Sequence, residues 1–451
     1  MTKARRTLTR IATGVVVIAL VGWLTWLVVS LAAERDFEAK VSELRRQGVR
    51  VSLRDFHRVA SFDAENGATI LRDAMDALPE DALEEPGEAL DLEVWGEAGR
   101  EHWGEDDRRS HAESWRAVEE WVDGLTPWFA SVDRAVRLPR CDFGLDTSDW
   151  FETSSDSFRL ARVIAQTLAW KVRVLERRGV APNEALRACE SLLLWVRKSP
   201  PDLLIGQLIS MTVEGVAFDL LKRVTTIPGL AVDSARRTLE PLLLNAEHDG
   251  PRLRAALDAE FASMIEVARI RASWDGARKL ELVLEDETSL WLHLHLLVRR
   301  DRLWRGATRE IEYWQDARSI IEADDAQAWQ ELTRFSGAVA REDWLPGELR
   351  IMHHALLARV QKRRLVHRAH LRVARLGLAA LEHRKLHGSW PEYPEGLAPL
   401  FPDGVPVDPF THKPFEFVTD ESALRIEAAV PWLDEYEGES REDERIYWTL
   451  K

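Results

Sequence analysis

Apolar positions recur at helical spacing along most of the chain. In AENGATILRDAMDAL, Ile70, Leu71, Ala74 and Leu78 fall on one face, and Asp63 is placed to cap the segment. The pattern sharpens between Ser154 and Thr225. Ser154 or Ser155 opens DSFRLARVIAQTLAWKVRVLERRG, which Gly179 ends. Pro182 suits the first turn of the helix through NEALRACESLLLWVRKS, and Asp202 is placed to cap LLIGQLISMTVEGVAFDLLKRV. Links this short predict antiparallel neighbours. From Val232 to Ser336 further helices are expected, with breaks near Asn245–Pro251, Asp275–Gly276 and Arg305–Thr308. Residues 79–110 are acidic, rich in Gly and Trp and without a period, which predicts an irregular surface loop.

The two ends of the chain break this pattern in different ways. Near the start, Lys3, Arg5, Arg6 and Arg10 precede a run with no charge from Ile11 to Ala33. A bilayer core takes about 20 apolar residues as a helix. The basic flank predicts that the N-terminus stays cytoplasmic and the rest of the chain crosses. Ser30-Leu31-Ala32 is compatible with signal-peptide cleavage. The length of the run and the helical pattern continuing through ERDFEAKVSELRRQ favour an uncleaved anchor, stopping at Gly48.

At the other end, Pro346-Gly347 precedes one long predicted helix, ELRIMHHALLARVQKRRLVHRAHLRVARLGLAALEHRKLHG. Met352, Leu356, Val360, Leu371, Ala374, Leu378 and Leu381 form its apolar stripe. Arg359, Lys362, Arg363, Arg364, Arg368, Arg372 and Arg375 make the rest basic. Gly388 stops it and Pro391 forbids its continuation. YPEGLAPL reads as a short helical turn, VPVDPF as extended chain and Asp408-Pro409-Phe410-Thr411 as a turn. PFEFV, ALRIEAAV and RIYWTL read as three short strands. Trp390, Leu397, Leu400, Phe410, Phe415 and Phe417 are expected to plug this small sheet onto the helix end.

Charge changes what the basic helix means. The formal net charge of the 451 residues is −15, which argues against coating nucleic acid. An isolated basic stripe in an acidic protein needs a partner. That partner is either the acidic helical body or, more sharply, anionic headgroups or an acidic protein. Nineteen Trp against four Tyr favour indoles filling a helical core over sugar-stacking platforms, with Trp115, Trp170 and Trp195 inside helix patterns. Two cysteines, Cys141 and Cys189, allow either one disulfide or two buried thiols.

The segment HGSWPEYPEGLAPLFPDGVPVDPFTHKPFEF resembles the C-terminal module of the major pseudopilins of type II secretion. Trp390-Pro391, Gly396-Leu397, Leu400, Asp408-Pro409 and Lys413-Pro414 carry the likeness, over about the last fifth of the chain. His412 stands where a glycine is usual, and the apolar run lacks the prepilin cleavage site with its following Phe and Glu. The whole chain, from AENGATILRDAMDAL through the hairpins to this tail, resembles a group of membrane-anchored bacterial proteins that brings no established activity. The resemblance therefore implies an architecture and not a function.

Candidate chemistry is sparse. His383 and His387 share a helix face at i, i+4, a metal-like spacing without an evident third ligand. His367 and His370 sit in the basic helix, and His353 and His354 point to different faces. Asp434, Glu435, Glu437, Glu439, Glu442 and Asp443 cluster in DEYEGESREDE, the type of group that calcium takes. Glu119-Glu120 is a carboxylate pair of a kind common in helices. No phosphate-binding glycine loop, nucleophile elbow or HExxH occurs.

The fold expected is mostly α. It has a cytoplasmic tail at 1–10, a transmembrane helix at 11–33 and an extracytoplasmic antiparallel helical domain at 34–348. Residues 349–451 then supply the basic helix and a small C-terminal α+β module with a short antiparallel sheet. No catalytic residue, cofactor or metal is assigned. The expected partners are the membrane and envelope proteins, with no nucleic acid, and the expected location is the bacterial inner membrane with the bulk of the chain periplasmic. The function expected is a membrane-anchored envelope scaffold or assembly protein. The alternative is a glycan-active enzyme using a carboxylate pair in a Trp-lined cleft.

Overall fold

The structure, a computed structural model, describes residues 3–59, 63–78, 105–145, 155–199, 204–272, 300–322, 330–332, 334, 347–420, 422–429 and 446–450. It is mostly helical, with a long apolar helix at the N-terminus and a three-stranded antiparallel sheet at the C-terminus, as the pattern predicts. The helices are α1 (Lys3–Arg46), α2 (Gly67–Asp76), α3 (Glu105–Gly124), α4 (Thr126–Arg137), α5 (Ser155–Arg178), α6 (Pro182–Lys198), α7 (Leu204–Val224), α8 (Val232–Glu247), α9 (Gly250–Ala272), α10 (Arg300–Glu322) and α11 (Gly347–His387). The chain divides into two compact units. The first joins 1–57 to 254–359, and the second joins 58–253 to 360–451.

In the first unit, α1 has two halves of opposite character. From Val16 to Leu31 its large apolar side chains are mostly exposed, Ile18 by 74 %. From Ala33 onward, Phe37, Val41 and Leu44 recur at helical spacing and are buried. Phe37 meets the Trp304 ring of α10 at 4.8 Å. Arg300 donates to Glu34 (2.8 Å), and Arg269 of α9 grips Glu38 with two bonds of 2.9 Å. A second tryptophan of α10, Trp314, packs against Phe261 and points its N–H at the Met264 sulfur. The break expected at Arg305–Thr308 does not occur, because α10 runs through it. Gly306 and Ala307 lie on the buried side there, where small residues permit close packing and offset the weak helix propensity of glycine.

The second unit is a stack of helical hairpins. Gly179 takes a left-handed φ of 64° to end α5, and Pro182 opens α6. Trp128, Trp170 and Trp195 are buried in this core, and the Trp128 N–H donates to Thr167 (3.0 Å). The expected cap at Asp63 is replaced by Asn66. Its Oδ1 accepts the N–H groups of Ala68 (3.1 Å) and Asp142 (2.9 Å), while its Nδ2 donates to the Asp142 carbonyl (2.7 Å). Asp63 instead pairs with Arg140. Thus the Asn-Gly of the AENGATIL segment latches α2 to the turn after α4. Residues 105–110, expected to be part of the irregular loop, begin α3; residues 79–104 lie outside those described.

Helix α11 enters the second unit at Val360, and Gly388 ends it with a φ of 76°. A 3-10 turn follows at Pro394–Leu400, then β1 (Glu416–Thr419), β2 (Leu424–Glu427) and β3 (Tyr447–Leu450). In register, Phe417 faces Ile426 and Ile426 faces Trp448; Leu424 faces Leu450. Strand alternation turns Leu424, Ile426, Trp448 and Leu450 to the buried face. Leu397, Phe401, Phe410 and Phe415 are buried with them, whereas Trp390 is half-buried under the Arg384 guanidinium (4.3 Å). His412 adopts the left-handed φ of 57° itself, so the turn forms without the glycine. The buried Asp408 carboxylate secures it, accepting the N–H groups of Phe410 (2.8 Å) and Ala429 (2.7 Å).

Candidate functional site

Among the described residues, an extended cluster of ionisable groups runs between α8 and α11 in the second unit. Residue numbers rise along one helix and fall along the other, so the pairing is an antiparallel ladder. Asp233 accepts from Lys385 (3.0 Å), and Glu382 pairs with Arg236, whose Nη1 also donates to the Leu400 carbonyl (3.1 Å). Glu240 takes Arg375 Nε at 2.7 Å. Glu247 bridges Arg372 Nε (2.7 Å) and Arg375 Nη1 (2.8 Å). Asp249, just past the end of α8, accepts from Arg364 (2.9 Å) and Arg368 (3.3 Å).

The ladder takes up Arg364, Arg368, Arg372 and Arg375 of the basic face of α11, while Arg363 stays exposed. Arg364, Arg368 and Arg375 are buried against carboxylates, which removes them from contact with a headgroup surface. Arg372 Nη1 reaches the Val407 carbonyl (2.7 Å), tying the same ladder to the C-terminal module. The sequence carried a signal for the partner that charge counting missed. Asp233, Glu240 and Glu247 recur every seven residues, which places three carboxylates along one helix face.

On its other side α11 meets α7, and here the helices run parallel. Glu214 lies against His367, and four residues on, Phe218 stacks on His370 (4.8 Å, 9° between planes). His367 Nε2 and Glu214 Oε2 are 2.7 Å apart, yet the ring N–H is not aimed along that contact. It is a close polar contact and not an aligned hydrogen bond. Helix α7 is long and apolar enough to cross a membrane, but most of its large apolar side chains are buried in the second unit, where it acts as a core helix.

Burial holds the His370 pKa down at about 3, with Lys222, His367 and Arg363 adding to the effect. The same ring in the unfolded chain titrates near 6.5. The unfolded state therefore takes up the proton first. The stability that neutral His370 contributes is complete above about pH 6.5 and is lost as pH falls toward 3. Ring-proton NMR at pH 5 is expected to show His370 still neutral; a midpoint near 6.5 would contradict the stacked, desolvated geometry.

Among the described residues, the other sequence candidates do not assemble into a site. The His383 and His387 rings sit 4.4 Å apart at the exposed end of α11, with His383 Nδ1 3.2 Å from the Ser389 carbonyl. No group of three or more metal-ligating side chains forms among the described residues. Glu119 pairs with Arg177 and Arg178, while Glu120 faces solvent. The side chains of His353 and His354 and the acidic cluster at 434–443 lie outside those described. Cys141 and Cys189 are two separate buried thiols, and desolvation pushes each up to about 12. Compared with known proteins, the chain matches no family model, no curated protein and no solved structure.

Proposed function

We propose that this chain is a membrane-anchored scaffold of the bacterial cell envelope. The carrying observation is the split character of α1. One helix buries Phe37, Val41 and Leu44 in protein yet leaves Val16, Val17, Ile18, Leu20, Val21 and Leu24 open. Exposed apolar side chains in such a run call for a lipid environment. With Lys3, Arg5, Arg6 and Arg10 held on the cytoplasmic side, the remainder lies outside the cytoplasm.

The ladder supports a structural role for the long helix. Its carboxylates and guanidinium groups bind one another, fixing the C-terminal module to α8. That module, with its resemblance to a pseudopilin end, is the part we assign to assembly with envelope proteins.

The topology is tested by reporter fusions at Lys451 combined with mass spectrometry of the N-terminus. Alkaline phosphatase is expected to be active there, a cytoplasmic reporter silent, and residues 1–33 retained after membrane extraction. The opposite reporter pattern, or a mature chain beginning after Ala32, would remove the anchor.

A further inference from the structure

One end of the α7–α11 contact carries buried polar atoms that the ladder leaves unused. Gln361 is 0 % exposed, and neither its amide nitrogen nor its oxygen has a hydrogen-bond partner. Gln207 is 2 % exposed with its Oε1 unmatched, and the Nε of Arg252 is buried and unmatched. Arg252 donates Nη2 to the Ser199 carbonyl (2.8 Å), and it forms no ion pair among the described residues.

These groups converge. Gly250, two residues before Arg252, adjoins the Arg364 guanidinium, and Gln361 is one helical turn before Arg364. The parallel register of Glu214 with His367, carried two turns back, sets Gln207 opposite residues 360–361. Charge is unbalanced at this spot. Asp249 is already shared by Arg364 and Arg368, and Glu214 lies against His367; both carboxylates act on Arg252 through space without contacting it. Arg252 therefore adds a guanidinium that no carboxylate among the described residues contacts. Leaving buried donors and acceptors unmatched is costly, and a guanidinium fork suits an oxyanion.

We propose that Arg252, Gln361 and Gln207 form a subsite for a small oxyanion that also carries a hydrogen-bond donor. Arg252 and the Gln361 amide nitrogen hold the anionic oxygens. The Oε1 atoms of Gln207 and Gln361 accept the donor, as a hydroxyl of hydrogen phosphate or the hydroxyl or amine of a small substituted carboxylate would supply. Arg252 is itself only half-buried, which gives the subsite its side toward solvent. The inference stands apart from the scaffold reading and does not depend on it.

The test uses the full chain in detergent, freed of phosphate, with inorganic phosphate as probe and acetate as the anion without a donor. Phosphate is expected to broaden its 31P resonance saturably and to raise the melting temperature, and acetate to do much less. Arg252→Gln and Gln361→Leu should each weaken phosphate binding at least about tenfold, the scale of one lost charge-assisted hydrogen bond. If Arg252→Gln fails to fold, Gln361→Leu, which removes no charge, decides alone. Absence of saturable phosphate binding in the unaltered protein overturns the proposal, since water then fills the site. Equal binding by a folded variant overturns it too.

Discussion

Replacing Asp249 by alanine is expected to destabilise the second unit by roughly 3–5 kcal/mol, the cost of leaving buried charge without its partner. Asp249 is 4 % exposed and accepts from both Arg364 and Arg368, themselves 3 % and 8 % exposed. Its removal takes a shared carboxylate away from two buried guanidinium groups, and the ladder carboxylate Glu247 is already bridging Arg372 and Arg375. Against a typical total stability of about 5–15 kcal/mol, a loss of this size is close to unfolding. Denaturant melts of the full chain, with hydrogen exchange read on α8 and α11, measure it. Asp249→Asn should fall between, because it keeps an acceptor and loses the charge. The triple variant Asp249→Leu, Arg364→Met, Arg368→Met should recover most of the loss, because apolar replacement of a whole buried pair is often neutral. A silent Asp249→Ala would mean that these side chains are solvated and the ladder is a surface feature.

The contrast between α11 and the elements around it explains which parts of the fold were legible in the sequence. Helices and strands announce themselves through local signals. Gly179, Pro182 and Gly388 stand at boundaries where they were read, and three short strands form in the segments read as strands, β2 and β3 alternating against one buried face. Partners between elements depend on where the chain returns, which local pattern does not encode. The basic face of α11 was visible, but its acidic counterpart lay over a hundred residues earlier, spread along α8 at one residue per two turns. Asn66 was missed for a related reason: its side chain bonds to both α2 and the turn at Asp142, while Asp63 looked equally suited from local sequence alone. Gln207, Gln361 and Arg252 carry no motif: the parallel register of α7 and α11 sets the two glutamines opposite each other, and the start of α9 beside Arg364 adds Arg252.

Gly377 offers a test in which local propensity and packing predict opposite signs. It sits in the interior of α11, where glycine costs about 1 kcal/mol relative to alanine, so propensity alone makes Gly377→Ala stabilising. The fold makes it destabilising. A Cβ at Gly377 would strike Cε3 and Cζ3 of the Trp448 ring, far inside van der Waals contact. Trp448 has little room to retreat: it is 2 % exposed, in register with Ile426, with Phe218 edge-on to it at 6.0 Å. Overpacking of a core typically costs about 1–3 kcal/mol, so the net effect is expected to be a loss, accompanied by displacement of β3. Gly215, in the interior of α7, is the control. Nothing lies within 4 Å of its added Cβ, so Gly215→Ala should stabilise by up to about 1 kcal/mol. Trp448→Leu should itself cost several kcal/mol through the lost ring, yet in that background Gly377→Ala should turn neutral or favourable, because the atoms it would strike are gone. That change of sign, read as a coupling energy from four denaturant melts, ties the small sheet to the long helix. If Gly377→Ala is stabilising in both backgrounds, Trp448 does not pack on α11 and the C-terminal module is held by the ladder and its other contacts alone.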